Sequence, residues 1–177
     1  MKVSKIAAVI TITFASAMTA LSAQAQDQGS GRVTFTGSII EAACSVNPES
    51  SDQEVDLGQI AASQLAGNGS STPRNFEILL ENCALDADKA NTVAVTFGGS
   101  AADSSNKLLG ITGTASGAGV AITDGSGNQI TLGKPTGARE LIEGSNTLNF
   151  SAYLQGISDE VRTGEFQSVA DFTLAYQ

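Results

Sequence analysis

The last fourteen residues, Gly164 to Gln177, read GEFQSVADFTLAYQ and alternate between apolar and polar side chains. This period of two is typical of a β-strand that packs one face on a core. The face predicted to point inward carries Phe166, Ser168, Ala170, Phe172, Leu174 and Tyr176. Because no turn follows, this strand has no hairpin partner later in the sequence.

A second alternating segment lies near the other end of the chain. Residues Arg32 to Ile40 read RVTFTGSII, with Val33 and Phe35 on one face and Arg32 and Thr34 on the other. The two terminal strands pair either within one molecule or with strands of another molecule. The function depends on whether this pairing is intramolecular or intermolecular.

Short period-two segments recur along the chain and are separated by clusters of Gly, Ser and Asn, which indicates antiparallel strands joined by turns. The predicted strands are Arg32 to Ala42, Gln53 to Ile60, Asn75 to Glu81, Thr92 to Phe97, Gly119 to Ile122, Gln129 to Leu132, Thr147 to Leu154 and Glu165 to Tyr176. One helical turn is predicted over Ile60 to Leu65, and Leu108, Leu109 and Ile111 predict a short strand within a long connection. The pattern predicts an all-β, immunoglobulin-like sandwich.

The first 25 residues have the pattern of a secretory signal. Lys2 and Lys5 precede an uncharged, mostly apolar stretch, and Ala23-Gln24-Ala25 forms a small-residue cleavage site. Cleavage would leave 177 − 25 = 152 residues, a size that suits one domain. It would also change the net charge from −9 to −9 − 2 = −11. So acidic a surface disfavours nucleic acid and anionic membranes as partners, and no membrane insertion is expected.

Cys44 and Cys83 are the two cysteines of the chain. An even number of cysteines in an exported protein predicts one disulfide bond.

The residues that most enzymes need for catalysis are scarce. The chain contains no His and no Trp, which excludes Ser-His-Asp and Cys-His catalysis and histidine zinc sites. Asp86-Ala87-Asp88 begins like a calcium loop, but Ala90 and Asn91 stand where the loop needs other residues. We therefore predict no enzymatic activity, no metal and no cofactor.

Several ordered motifs resemble those of chaperone–usher fimbrial pilins, especially the major subunits of type 1 and P-type fimbriae. The motifs are Gly31 to Gly37 (GRVTFTG) running through to Cys44, Val55 to Gly58 (VDLG), Phe76 to Cys83 (FEILLENC), Gly119 to Asp124 with Gly127 and Ile130 to Gly133, Leu148 to Tyr153, and the terminal strand. Gly164 is fourteenth from the end and Tyr176 is penultimate, as in the family pattern. The resemblance spans essentially the whole chain after the signal.

The resemblance implies an immunoglobulin-like sandwich that lacks its seventh strand, so that an apolar groove is left along the core. A periplasmic chaperone would fill this groove first. An outer-membrane usher would then exchange the chaperone strand for the N-terminal extension of the next identical or related subunit. The product would be a head-to-tail fimbria on the cell surface, serving adhesion or biofilm formation.

The same resemblance assigns roles to residues. It implies a signal peptide over 1–25, a donor extension over 26–36 and a pilin domain over 37–177. Val33 and Phe35 would be the apolar residues of the donor strand, and Gly29 or Gly31 would be its point of close approach. The groove edge recognised by the chaperone would comprise Gly164, Phe166, Phe172, Leu174 and Tyr176.

The sequence also allows other interpretations of the N-terminal segment and of the whole protein. The N-terminal segment can be an ordinary tail that enters a first edge strand. The whole protein can be a secreted, self-complete β-sandwich that binds carbohydrate or protein, although it lacks Trp and both tyrosines lie in predicted strands. A sortase-linked pilin would need a sorting motif and an apolar C-terminal anchor, and neither is seen in the sequence.

Overall fold

The computed structural model describes residues 30–86, 88 and 91–177. The predicted signal peptide and the first four residues of the predicted donor extension, Gln26 to Gly29, therefore lie outside the described residues. Those that are described fall into two units, residues 30–39 and Ile40–Gln177.

The larger unit is built from antiparallel strands with two single-turn helices. Its strands are β1 (Ser45–Val46), β2 (Arg74–Cys83), β3 (Thr92–Gly98), β4 (Leu108–Gly110), β5 (Thr112–Gly113), β6 (Ala118–Asp124), β7 (Arg139–Glu140), β8 (Gly144–Gly156), β9 (Phe166–Gln167) and β10 (Asp171–Tyr176). The helices are α1 (Pro48–Ser51) and α2 (Ala62–Leu65), and a 3-10 turn follows over Ala66–Asn68.

The strands form two main sheets and a small pair. One sheet has the order β1-β2-β8-β6-β4, the second has the order β10-β3-β7, and β5 pairs with β9. All pairs are antiparallel. The prediction of an all-β, immunoglobulin-like sandwich is confirmed.

The core lies between the two main sheets. Along β8, Leu148, Phe150, Ala152 and Leu154 are buried, as expected for a strand that packs one face inward. From the facing sheet, Phe97 of β3 meets Phe150 edge-to-face, with ring centroids 5.0 Å apart. Aromatic pairs favour this geometry, so the contact helps to fix the spacing of the sheets.

The predicted disulfide bond joins Cys44 and Cys83, and both cysteines are buried in the core cluster. The cross-link closes a loop with a sequence separation of 39 residues. On the chain-entropy model, a loop of this size stabilises the folded state by about 4 kcal/mol. The Asn146 amide donates a hydrogen bond to the Cys83 sulfur at 3.2 Å, which ties the start of β8 to the cross-link.

Most predicted elements are present. The strands predicted over 75–81, 92–97, 119–122 and 147–154 fall within β2, β3, β6 and β8. The predicted helical turn corresponds to α2, and the short strand predicted around Leu108 is β4.

Three strand predictions are wrong for this chain taken alone. Described residues within Arg32 to Ala42 form no regular secondary structure, and neither does Gln53 to Ile60. Gln129 to Leu132 makes only an isolated bridge, because its backbone bonds to separate places: Ile130 donates to Ile122 and Leu132 donates to Asn106.

The predicted terminal strand is interrupted. Its first part is β9, which pairs with β5, and its second part is β10, which pairs with β3. Residues 168–170 lie between them and form no ladder, since the chain there passes from one sheet to another. The Ser168 hydroxyl donates to the Gly110 carbonyl at 2.9 Å within this crossing.

Candidate functional site

A groove of about 1370 Å³ opens along the core of the larger unit. One wall is residues 50–60 and the other is residues 161–172. The floor is apolar and comes from strands of both main sheets: Phe76, Phe97, Leu109, Ala118, Val120, Ile122, Ala152 and Leu154. Small-molecule pockets usually measure about 300–1,000 Å³, so the groove has room for something larger than a metabolite.

The C-terminal wall keeps the alternation predicted from its sequence. The even-numbered residues from Phe166 to Tyr176 are half-buried, whereas the odd-numbered residues are exposed. None of the inward-facing side chains is fully buried, although they pack against the core cluster. The wall thus presents an apolar face that the folded chain covers only in part.

The outer edge of β10 has no strand beside it among the described residues. β10 is the terminal strand of its sheet, and within that part of the chain it pairs only with β3. Thr92 and Gln177 form a hydrogen-bonded pair, in which each backbone N–H donates to the other residue's carbonyl at 3.0 Å. In an antiparallel ladder, hydrogen-bonded and non-hydrogen-bonded pairs alternate from there. The backbone N–H and C=O groups of Phe172, Leu174 and Tyr176 therefore point away from β3, toward the free edge.

The opposite wall is also unpaired. Within the described part of the chain, residues 53–60 make no backbone–backbone hydrogen bond. Val55, Leu57 and Ile60 are half-buried, and the residues between them are exposed. This explains the failed strand prediction, because the segment has the sequence pattern of a strand but no neighbouring strand to pair with.

The predicted groove-edge residues fall into two groups. Gly164, Phe166 and Phe172 line the groove, whereas Leu174 and Tyr176 lie on the same strand face beyond its lining. Phe172 packs near the floor, with its ring centroid 6.3 Å from that of Phe97.

Gly164 is held tightly against the chain across from it. A Cβ atom at this position would lie 2.7 Å from the backbone nitrogen of Ala115 and would also clash with the Thr114 hydroxyl. The wall is anchored at the same place, because the Glu165 carbonyl accepts hydrogen bonds from the N–H groups of Thr114 and Ala115. A close backbone approach thus requires glycine here.

The Tyr176 hydroxyl is buried and has no hydrogen-bond partner among the described residues. Burial raises the pKa of this phenol above its ordinary value of 10.0.

The described part of the smaller unit is residues 30–39, and it has no regular secondary structure. Val33 is 75% exposed, Phe35 is 91% exposed and Ile39 is 104% exposed. Gly31 has open space where a side chain would stand. Ile39 is in phase with Val33 and Phe35, so the alternating pattern, extended by two steps, would have identified it as a third apolar residue of this face.

Within the described ranges, no three His, Cys, Asp or Glu side chains cluster so as to hold a metal ion. No helix in the described part of the chain has the length and apolar character needed to span a bilayer.

Comparison with known proteins decides the family. The model of the fimbrial protein family matches residues 33–177. The chain belongs to the fimbrial protein family. It is 54% identical over 157 residues to the fimbria A protein of Serratia marcescens, covering 88% of this chain and 89% of that protein. It is 46% identical over 179 residues to the major MR/P fimbria protein of Proteus mirabilis, covering 100% of both.

Solved structures agree with this assignment. The fimbrial chain matches the P pilus rod subunit PapA with a TM-score of 0.70 and 31% identity, covering 77% of this chain and 100% of that one. It matches a subunit of a chaperone–usher pilus studied for rod uncoiling with a TM-score of 0.76 and 31% identity, covering 85% and 97%.

This fimbrial protein is a structural subunit of a chaperone–usher pilus, which confirms the function predicted from its sequence. Its sandwich is of the incomplete immunoglobulin-like type found in pilins. The family assignment places it in a surface fimbria built from related subunits.

Proposed function

We propose that the subunit polymerises by donor-strand exchange, with the groove as acceptor and residues 26–36 of the next subunit as donor. The open groove beside the free edge of β10 is the observation that carries this proposal. Addition of an extended segment to an exposed sheet edge is an established mode of recognition, and pilins are among its known users.

The two walls support strand insertion. An inserted strand would hydrogen bond to the outward-pointing groups of Phe172 and Leu174 and could also pair with residues 53–60. Both edges would then be satisfied, and the half-buried apolar residues between them would be covered. Burial of apolar surface contributes about 25 cal/mol per Å², so covering this floor is a large driving force.

The donor and the alternating C-terminal segment agree in length. Residues 26–36 and residues 166–176 each number eleven, and both alternate in period two where they carry apolar side chains. Eleven extended residues reach about 36 Å. Val33 and Phe35 would enter the groove, and Gly29 or Gly31 would be the point of close approach to its floor.

We assign residues 1–25 to a signal peptide, 26–36 to the donor extension and 37–177 to the pilin domain. The boundary between the two compact units follows Ile39, three residues after the proposed end of the donor. A link of a few residues between the donor and the body would let the donor reach a neighbouring subunit.

The same groove is the proposed site of the periplasmic chaperone. An apolar, unpaired edge is an aggregation hazard until something covers it, so the subunit needs a temporary strand during export. Gly164, Phe166, Phe172, Leu174 and Tyr176 would form the recognised edge. An outer-membrane usher would then exchange the chaperone for the donor of the next subunit, and head-to-tail contacts that do not close would give a fibre.

The proposed role is structural rather than catalytic, and the groove itself supports this. Its floor carries apolar side chains, while its carboxylates lie on exposed parts of the walls. Acid–base chemistry usually depends on polar groups held at defined positions in a site that excludes water.

The test compares fimbriae sheared from cells that make the wild type or a variant lacking residues 26–36. On an SDS gel without boiling, the wild type should give a ladder that collapses to monomer on heating, and the deletion variant should give none. Val33→Asp with Phe35→Asp should behave like the deletion, whereas Thr34→Asp with Thr36→Asp, on the other face of the strand, should retain the ladder. A monomer band from unboiled wild type would refute the proposal.

A further inference from the structure

The mouth of the groove is strongly acidic. Among the described residues that line it, five carry carboxylates and only Arg162 carries a positive charge. One wall contributes Asp52, Glu54 and Asp56, and the other contributes Glu165 and Asp171. All five are exposed, so they border the opening above the apolar floor.

These carboxylates form few interactions with other described residues of the folded subunit. Asp56 accepts a hydrogen bond from the Gly58 N–H at 2.7 Å. In the described part of the chain, Asp52, Glu54, Glu165 and Asp171 make no side-chain hydrogen bond or ion pair with other residues. An array of unpaired like charges raises the free energy of the isolated subunit and attracts a cationic partner.

Glu54 and Asp171 lie on opposite walls of the groove, and each is adjacent in sequence to a residue held close to the aromatic part of the core. Next to Glu54, the Gln53 amide donates to the carbonyl of Glu77 at 3.2 Å, beside Phe76. The Phe76 ring lies 6.3 Å from that of Phe97, measured between centroids. Phe97 in turn pairs with Phe172, the residue after Asp171. A strand inserted along this aromatic part of the core would pass between the two walls that carry these carboxylates.

The proposed donor carries two charged side chains, the basic Arg32 and, five residues earlier, the acidic Asp27. Within residues 26–36, Arg32 is the only basic residue, and it immediately precedes the apolar Val33. Side chains alternate between the two faces of a strand. If Val33 faces the aromatic floor, Arg32 therefore faces the mouth of the groove, where the carboxylates lie.

We propose that Arg32 of a second copy of this chain docks between Glu54 and Asp171, and that this charge pairing speeds and aligns insertion of the donor. This inference rests on the proposed donor-strand exchange. Charge complementarity at an exposed rim affects association rate and register more than final affinity, because water and salt screen such pairs. Salt would therefore weaken the effect.

The test is a charge-swap cycle on the full mature chain, refolded by dilution at low salt and followed by light scattering and by unboiled SDS gels. Arg32→Glu should slow fibre growth by about two- to fivefold, as expected for an exposed ion pair. Glu54→Lys with Asp171→Lys should slow growth to a similar extent. The triple variant should recover the wild-type rate to within about twofold, since surface pairs act largely through their mutual charge.

The control is Glu140→Lys with Glu143→Lys, which changes net charge by the same amount at exposed positions outside the groove lining. This control should grow at the wild-type rate, and denaturant titrations should show that all variants fold. At about 1 M salt, where the Debye length is about 3 Å, the rates should converge.

The outcomes separate the two proposals. Wild-type growth of the Arg32→Glu variant, or failure of the triple variant to recover, would overturn the charge pairing alone, provided that deletion of residues 26–36 still abolishes growth. Growth of the deletion variant at the wild-type rate would overturn donor-strand exchange and the pairing together.

Discussion

Phe97 and Phe172 face each other across β3 and β10, but the two side chains differ in burial. Their register partners them directly, and their ring centroids lie 6.3 Å apart. Phe97 is 3% exposed, whereas Phe172 is only half-buried. Phe97 completes the core of the subunit, while Phe172 lies where the core opens into the groove.

This difference predicts different consequences for the two alanine substitutions. Phe97→Ala should lower the free energy of unfolding of the mature chain by about 3–5 kcal/mol, the usual loss for a buried phenylalanine. Phe172→Ala should cost about half as much, because water already reaches its ring. It should nevertheless abolish the heat-sensitive ladder, since the inserted strand would lose its aromatic contact.

Denaturant titration of freshly refolded chain, before fibres form, measures the first effect, and unboiled gels measure the second. Equal destabilisation by both substitutions, or a normal ladder from Phe172→Ala, would contradict the assignment of Phe172 to the groove.

Much of the fold could be predicted because local pattern and tertiary pairing agree. β2, β3, β6 and β8 pair with strands of the same chain, so their alternation is matched by ladders within it. In the segment 53–60, the same kind of alternation has no pairing partner within the ranges that the structure describes. The alternation in a sequence shows which residues lie on each face of a strand. It does not show whether the neighbouring strand belongs to the same molecule or to another.

The break in the terminal strand could not be predicted for a different reason. Alternation continues through Ser168 and Ala170, so the pattern gives one strand, while the pairing changes from β5 to β3. The change depends on distant residues: an added Cβ at Gly99 would lie 3.0 Å from the Val169 carbonyl oxygen. Close approaches between segments so far apart in sequence leave no local signal.

Gly164 also depends on such an approach, and its substitution should loosen the groove wall. Gly164→Ala should lower the free energy of unfolding by about 1–3 kcal/mol, because the new methyl group would displace Ala115 or Thr114. Displacement of this backbone would also weaken the hydrogen bonds that the Glu165 carbonyl accepts. Capture by the chaperone should fall in a pull-down from periplasm.

Gly137→Ala is the matched control for this substitution. Apart from the chain neighbours of Gly137, no described residue has an atom within 4 Å of a Cβ placed there, so the unfolding free energy should change by less than about 0.5 kcal/mol. Equal free energies of unfolding for the two variants would show that the wall can move to accommodate a methyl group at residue 164. The close backbone approach would then not account for glycine at this position.

Tyr176 should make the subunit sensitive to alkali. Because burial raises the pKa of its phenol in the folded state, the unfolded chain loses this proton first as the pH rises. Below pH 10.0, the ordinary value, the phenol is protonated in both states and adds no pH dependence. Above it, the folded state binds more protons than the unfolded state, so stability falls until the folded-state pKa is passed.

Tyr176→Phe should remove this alkaline loss. At pH 7 the substitution should be neutral or slightly stabilising, because it deletes a buried hydroxyl that lacks a hydrogen-bond partner among the described residues. Tyr153→Phe changes the chain's other tyrosine and should retain the loss, since Tyr176 is still present. Denaturant midpoints measured between pH 8 and pH 12 would decide the matter. Parallel curves for the wild type and Tyr176→Phe above pH 10 would show that this phenol ionises alike in both states.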